Sequence, residues 1–152
     1  DGTPKVLEFN CRFGDPETQV VLPIINGDFL ELLYSTAKGK VNQNSITNSN
    51  KCALTVVAAS GGYPGNYERG LEITGVKTAE SKNVIVYHAG TKIEDNKLKT
   101  NGGRVLNITA ISENNLREAR EFAYDAIEKI DFKGKVFRID IASKALKKQQ
   151  KH

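Results

Sequence analysis

The sequence has few cysteines, no long apolar run and no strong excess of charge of one sign. Its only cysteines are Cys11 and Cys52, and they form no Cys-x-x-Cys pair. This excludes a disulfide framework and a cysteine-based zinc site, and it favours a reducing, cytoplasmic setting. No apolar segment is long enough to cross a membrane, and the polar first residues do not resemble a secretory signal, so we predict no membrane partner.

The charge and the aromatic content also exclude a class of partner. The net charge of +4 suits anionic small molecules as well as nucleic acid and selects neither. A nucleic-acid module requires clustered basic and aromatic residues. Here the charges are mixed and aromatic residues make up only 7% of the chain, so no nucleic-acid partner is predicted. The 152 residues suffice for one domain of common size or two small ones.

The first third of the chain contains one strand pattern and one helical pattern. Residues 5–13 alternate between polar and apolar side chains, which predicts a strand. Helical spacing of apolar residues begins at about Glu17, and Pro23 and Gly27 predict a kink or two shorter helices. The polar stretch 39–51 predicts a linker or mobile loop.

The rest of the chain has the pattern of a compact α+β unit. A turn at 94–96 predicts a hairpin with the following KLKT, and Ser112 is expected to cap a helix that runs to about Ile130. The final KALKKQQKH, 144–152, is predicted to be a solvated helix end. Further strand-like segments are rich in β-branched residues and lie at 52–60, 84–90, 104–111 and 135–141.

Three polar residues within the first predicted strand form a candidate metal and anion site. Side chains two positions apart on a strand point the same way, so Glu8, Asn10 and Arg12 are expected to share one face. Carboxylate and amide oxygens suit Mg²⁺, which proteins usually hold by one or two oxygens, and the guanidinium suits an anionic oxygen. The alternative interpretation is a half-buried strand with a solvated outer face.

Two glycine-rich segments are candidates for close contact with a ligand. Arg104 follows Gly102 and Gly103, which allow the backbone to approach a ligand, and its guanidinium suits a phosphate. A glycine-rich turn with a surface arginine fits the pattern equally well. The segment SGGYPG, 60–65, lacks the Gly-Lys-Ser/Thr of a phosphate loop, which favours a structural turn with Tyr63 packed.

Several segments resemble one family in the same order along the chain. The sequence is similar to the phosphoribosylamine–glycine ligases, also called glycinamide ribonucleotide synthetases, of the ATP-grasp superfamily. The resemblance covers residues 4 to about 142. The segments that carry it are EFNCRFGDPETQ at 8–19, ASGGYPGNYERG at 59–70, HAGTK at 88–92, TNGGRVLNITA at 100–110 and REAREFAYDAIEKIDFKG at 117–134.

The resemblance implies a fold and a domain division. The chain is similar to the C-terminal portion of a longer enzyme, which fits its start at Asp1. Residues 1–50 would be the end of the ATP-grasp domain, a strand plus a helix. Residues 51–152 would form a small α+β domain of short antiparallel strands with one packed helix. The missing N-terminal part of the same enzyme would be its partner, and the isolated chain is expected to be inactive.

The resemblance also implies an activity. Family members join glycine to 5-phosphoribosylamine in purine biosynthesis, with cleavage of ATP to ADP and phosphate through a glycyl phosphate intermediate. By the family pattern, Glu8 and Asn10 would bind Mg²⁺ or Mn²⁺, and Arg12 would act catalytically by steadying a phosphoryl oxygen. Asp15 would contact the amine-bearing substrate, and Arg104 is a candidate for the ribose-phosphate end of that substrate. Near the end of the chain, Ile139 and Ala142 stand where members commonly have a basic residue and a glycine.

Two alternatives to this activity differ in class. Another ATP-grasp ligase or carboxylase is one, but the continuation RFGDPE after the predicted metal strand argues against it, because relatives typically differ there. A non-catalytic binding module of the same fold is the other. Retention of Glu8, Asn10 and Arg12 together argues against decay of the site.

Overall fold

The computed structural model describes residues 2–149, so Asp1 and the last part of the predicted basic tail, 150–152, lie outside it. Helices and strands alternate irregularly along the chain. In order they are α1 (Glu17–Val21), a 3₁₀ turn (Leu22–Ile24), β1 (Ile25–Gly27), α2 (Phe29–Ala37), a 3₁₀ turn (Gln43–Ser45), β2 (Ile46–Asn48), β3 (Cys52–Ser60), α3 (Val76–Ala79), β4 (Val84–His88), β5 (Thr91–Glu94), β6 (Lys97–Thr100), β7 (Arg104–Ser112), α4 (Leu116–Lys129), β8 (Lys135–Val136) and α5 (Ser143–Gln149). This mixture of short antiparallel strands and few helices confirms the predicted α+β class.

A four-stranded antiparallel sheet forms the centre of the molecule, in the order β4-β7-β3-β8. One face of the sheet is largely apolar, because residues that alternate along the strands bury valine, leucine, isoleucine and alanine. Helix α4 packs on this face with a stripe of alanines at helical spacing. The buried residues of this core include Leu54, Val56, Ala58, Val84, Val86, Leu106, Ile108, Ala110, Ala119, Ala123, Ala126 and Ile127.

The start of helix α4 differs slightly from the prediction. Ser112 was expected to cap it, but Asn115 is the capping residue and accepts from the amide of Glu118. The hydroxyl of Ser112 instead accepts from the amides of Asn114 and Asn115, so it supports the turn that leads into the cap. The helix ends at Lys129, close to the expected end.

The predicted hairpin is confirmed in the segment that follows β4. Strands β5 and β6 pair in register from Thr91 with Thr100 to Glu94 with Lys97. The two residues between them, Asp95 and Asn96, both have left-handed backbone conformations, at φ 53° and 58°. Such a two-residue turn matches the twist of an antiparallel pair, and aspartate and asparagine tolerate it best after glycine.

The region before β3 contains more structure than the sequence predicts. Of the predicted kink or two shorter helices, the structure has the second: α1 and α2 are separate helices, and β1 lies between them. The predicted loop 39–51 contains β2, which pairs with β1 from Ile46 opposite Gly27 to Asn48 opposite Ile25. The prediction of a linker or mobile loop missed this strand, because the pairing is between two three-residue segments that are too short to show alternation.

The strand predicted over 5–13 does not form in this structure. Residues 2–10 have no regular secondary structure, and the side chains of Phe9 and Cys11, which would lie on the apolar face of the predicted strand, are exposed. A strand needs a neighbour that accepts and donates its backbone hydrogen bonds. Among residues 2–149, no strand pairs with this segment. The ring of Phe13 packs on that of Phe29, and the two centroids are 5.9 Å apart.

Candidate functional site

Glu8 and Asn10 lie side by side although their segment is not a strand. The Asn10 side-chain amide donates to Oε1 of Glu8 at 2.9 Å, and both residues are exposed. Rotation of the amide group by half a turn would place its oxygen, in place of its nitrogen, beside the carboxylate. The pair then offers hard oxygen ligands from two side chains.

This donor set fits Mg²⁺ in a site that shares the ion with a phosphorylated ligand. Mg²⁺ retains several waters and takes one or two protein oxygens, while phosphates supply further ligands. Among residues 2–149, no cluster of three or more histidine, cysteine, aspartate or glutamate residues could hold a metal ion by itself. Glu8 with Asn10 therefore suits a partly hydrated cation better than a closed protein cage.

Arg12 and Asp15 lie around the turn that follows. Arg12 donates from Nη1 to the carbonyl oxygen of Phe13 at 2.6 Å. With Asp15, it lines an open cavity of about 470 Å³ whose other walls include Gly14 and Thr18. The turn is closed by the amide of Thr18, which donates to the carbonyl oxygen of Gly14 at 3.0 Å.

The structure brings Asp15 and Arg104 into contact, although they are far apart in the sequence. Arg104 donates from Nη1 to the backbone oxygen of Asp15 at 2.6 Å, and the same nitrogen lies 3.5 Å from the Asp15 carboxylate. Gln19 donates to that carboxylate at 2.9 Å. The pair joins the turn after residue 12 to the first residue of β7.

The glycines before Arg104 are required by packing. A Cβ atom at Gly103 would lie 2.0 Å from Cδ2 of Tyr63, and one at Gly102 would lie 2.8 Å from the Cα atom of Gly90. Ser60, at the end of β3, donates its amide to the Gly103 oxygen and its hydroxyl to the Gly102 oxygen, each at 2.8 Å. The turn at Gly102 and Gly103 is therefore a packed structural junction, and Arg104 projects from its end.

A cavity of about 580 Å³ adjoins Arg104 on the sheet face opposite α4. Val57 and Ala59, which line it, alternate along β3 with core residues such as Val56 and Ala58. The two charged side chains at its walls are Arg104 and Arg138. The lining residues are Pro16, Val57, Ala59, Tyr63, Arg104, Val136, Phe137 and Arg138. Sequence reasoning gave Tyr63 and Arg138 no role here, because their proximity to Arg104 arises only in the fold.

The β5–β6 hairpin carries a network of ion pairs. Glu94 accepts from Lys92 at 2.7 Å and from Lys99 at 2.8 Å. These hydrogen bonds, that from Lys92 first, lower the pKa of the Glu94 carboxyl to about 2. Lys99 also contacts Asp95 at 3.1 Å, and its own pKa is raised by the bonds to Glu94 and Asp95. The network fixes the Lys92 side chain along the hairpin.

The fold defines the class of protein first. The small antiparallel α+β domain, preceded by a helical segment, defines the chain as a C-terminal domain of a synthetase. Residues 53–144 match the family described as "Phosphoribosylglycinamide synthetase, C domain", and the chain belongs to this family. The resemblance noted in the sequence is thereby confirmed.

Individual relatives agree with this assignment. The chain is 51% identical over 140 residues to a phosphoribosylamine–glycine ligase of Caldanaerobacter subterraneus subsp. tengcongensis, covering 92% of this chain and 33% of the relative. It is 48% identical over 144 residues to the trifunctional purine biosynthetic protein adenosine-3 of Homo sapiens, covering 94% of this chain and 14% of that protein. The chain thus spans about a third, or less, of the length of these relatives.

A solved structure shares the fold. The crystal structure of the phosphoribosylamine–glycine ligase from Thermotoga maritima superposes with a TM-score of 0.75 at 37% sequence identity. The match covers 92% of this chain and 34% of the other. Among residues 2–149, no helix has both the length and the apolar character needed to cross a membrane.

Proposed function

We propose that this chain is the C-terminal part of a phosphoribosylamine–glycine ligase that acts in purine biosynthesis. The enzyme joins glycine to 5-phosphoribosylamine and cleaves ATP to ADP and phosphate. The observation that carries this proposal is the 51% identity to a relative of that name across 92% of the chain. Residues 1–50 belong to the end of the ATP-grasp domain and residues 51–152 to the small C-terminal domain. The start of the family match at residue 53 supports this boundary.

The proposed reaction has two steps. The glycine carboxylate attacks the γ-phosphate of ATP to give glycyl phosphate, and the amine of 5-phosphoribosylamine then displaces phosphate. Phosphoryl transfer depends mainly on positioning and on neutralisation of charge. Glu8 and Asn10 hold Mg²⁺, or Mn²⁺ in its place, and the bound cation supplies much of that neutralisation. Arg12 steadies an oxygen of the phosphoryl or acyl-phosphate group with its planar guanidinium.

Asp15 and Arg104 bind the amine-bearing substrate. They form a pair of opposite charge in the structure, 3.5 Å apart. 5-Phosphoribosylamine offers a partner to each, since its phosphate suits the guanidinium and its amine can donate to the carboxylate. The Asp15–Arg104 pair is half-exposed, so exchanging its bonds for bonds to the substrate costs little.

The partners of the chain follow from the same proposal. They are ATP, glycine, 5-phosphoribosylamine and the N-terminal part of the same enzyme, in the cytoplasm. The 152-residue chain alone is expected to show no ligase turnover, because residues that hold the nucleotide would come mainly from that N-terminal part.

A chimera tests the proposal. In it, this chain replaces the matching 140-residue region of the Caldanaerobacter ligase. We expect ADP formation that depends on both glycine and 5-phosphoribosylamine, at a rate close to that of the parent enzyme. The isolated chain is the matched negative control. A chimera that folds, as judged by circular dichroism and elution volume, but produces no ADP while the parent does, would refute the proposal.

A further inference from the structure

A short strip of irregular backbone after β8, residues 137–142, is held by side chains of helix α4. Residues 135–141 were predicted as a strand, but β8 stops at Val136. The hydroxyl of Tyr124 donates to the carbonyl oxygen of Arg138 at 2.7 Å and accepts from the amide of Ile141 at 3.3 Å. One side chain thus fixes the backbone at two points of the strip.

Arg120, one turn earlier on α4, completes this attachment. Its Nη2 donates to the carbonyl oxygen of Ile139 at 2.8 Å and its Nε to that of Ile141 at 3.0 Å. Its guanidinium also lies over the Tyr124 ring, 4.5 Å from the centroid. The two side chains hold each other as well as the strip, so the backbone beside the cavity is pre-organised without belonging to the sheet.

The strip presents Arg138 to the cavity that Arg104 also lines. No carboxylate is among the lining residues, and the remaining walls are mostly apolar. Two guanidiniums at one cavity favour an anion, because their positive potentials add there. A phosphomonoester with a compact body matches both the charge and the walls.

Arg138 is available for such a ligand. Its Nε and Nη2 donate to the two carboxylate oxygens of Asp140 at 2.9 and 2.7 Å. This bond raises the pKa of Arg138 and lowers that of Asp140. Both side chains are largely exposed, and exposed ion pairs contribute little free energy. Asp140 therefore orients the guanidinium plane. A phosphate, which carries more charge, can displace the Asp140 carboxylate.

We propose that Arg138 is a second phosphate-binding residue of this cavity, acting with Arg104 on the phosphate of the phosphorylated sugar substrate, and that Arg120 and Tyr124 are its positioning residues. This inference rests on the proposed function, because it takes 5-phosphoribosylamine as the natural ligand. If the strip only covered one side of α4, removal of its bonds to Arg120 and Tyr124 would change the free energy of unfolding. It would leave the affinity for the ligand unchanged.

The direct test titrates the 152-residue chain with ribose 5-phosphate and follows the Nε–Hε signals of its arginines by NMR. We expect the signals of Arg104 and Arg138 to shift together, and that of Arg117, which is exposed on α4, to stay. Arg138→Gln should raise the dissociation constant by about tenfold or more. Arg117→Gln removes the same charge and should leave the dissociation constant unchanged. Ribose without phosphate should not bind.

Tyr124→Phe tests the positioning role. It removes only the hydroxyl that holds the strip and should weaken ribose 5-phosphate binding about threefold. In the chimera it should raise KM for 5-phosphoribosylamine and leave kcat unchanged, a split that loss of stability alone would not produce. The inference is overturned if ribose 5-phosphate does not bind, if the Arg138 signal stays in place at saturation, or if Arg138→Gln binds as tightly as the parent chain.

Failure of this inference is distinguishable from failure of the proposed function. An active chimera whose Arg138→Gln variant keeps the parent KM for 5-phosphoribosylamine would remove Arg138 from the site and leave the ligase assignment intact. An inactive chimera, combined with ribose 5-phosphate binding that requires Arg138, would retain the phosphate site and remove the ligase assignment.

Discussion

The segment 2–16 and the sheet with helix α4 contrast in almost every physical property. Side chains of the segment are exposed on both sides, with Leu7 97% and Phe9 88% accessible, whereas Leu106 and Ile108 of β7 are inaccessible. The segment contains Glu8, Asn10, Arg12 and Asp15, the residues proposed for the cation, the phosphoryl group and the amine. The buried face of the sheet contains none of these groups.

Under the proposed function, stability and chemistry come from different parts of the chain. The apolar face of the sheet and α4 supplies the burial that stabilises the fold. The segment keeps hydrophilic ligands accessible, as a site shared with phosphates requires. Arg104 connects the two parts, because its backbone begins β7 and its side chain bonds to Asp15.

Truncation of one side chain in each part should give the largest difference. Ile108→Ala removes a fully buried side chain from the core and should lower the free energy of unfolding by about 2–5 kcal/mol. Phe9→Ala removes a larger but exposed side chain and should change it by about 0.5 kcal/mol or less. Urea unfolding of both variants measures this. Equal losses of stability in the two variants would mean that the segment 2–16 contributes to the core as much as the sheet does.

Removal of the connection should have an intermediate effect. Arg104→Ala deletes the bonds to Asp15, and because the pair is half-exposed the expected loss of stability is about 1 kcal/mol or less. Hydrogen exchange should accelerate at the amide of Thr18, whose turn is fixed by this contact, and remain unchanged at that of Ile108. Arg117→Ala is the control. Unaltered exchange at Thr18 would show that the turn does not depend on Arg104.

The smallest effect concerns Ala142, at the end of the strip. Its backbone is left-handed, with φ 63°, a conformation that costs a residue with a Cβ atom more than it costs glycine. Ala142→Gly should therefore raise the free energy of unfolding by about 0.5 kcal/mol. Ala145→Gly, at an exposed position of α5, should lower it instead. Thermal unfolding of both variants gives the sign of each change in the free energy of unfolding. A destabilising Ala142→Gly would contradict a strained left-handed backbone at Ala142.

Much of the sheet region was predictable because its patterns are local. The strand predicted at 52–60 has those bounds in the structure, and that at 104–111 extends by one residue. The predicted strand 135–141 was wrong beyond Val136. Its β-branched residues fit a strand, but Tyr124 and Arg120 take the carbonyl groups that a strand would give to a neighbour. These hydrogen bonds come from helix α4, which lies outside the segment 135–141, so no local pattern in that segment reveals them.

The candidate site was predictable in its residue types and not in its contacts. The spacing of Glu8 and Asn10 predicted neighbouring side chains, and they are neighbours even without a strand. The contact between Asp15 and Arg104 joins two segments that are distant in the sequence, so it depends on how α1 packs against β3 and β7. The roles of all these residues stay predictions.

The most direct test of the central claim is the Mg²⁺ dependence of turnover in the chimera that contains Glu8→Gln. Removing one carboxylate ligand while keeping its shape should lower kcat by about a hundredfold or more and raise the Mg²⁺ concentration needed for half-maximal rate. Glu121→Gln, a matched change at an exposed position of α4, should leave both quantities at the parent values. Turnover and Mg²⁺ requirement close to those of the parent in Glu8→Gln would contradict the proposal that Glu8 and Asn10 hold the cation.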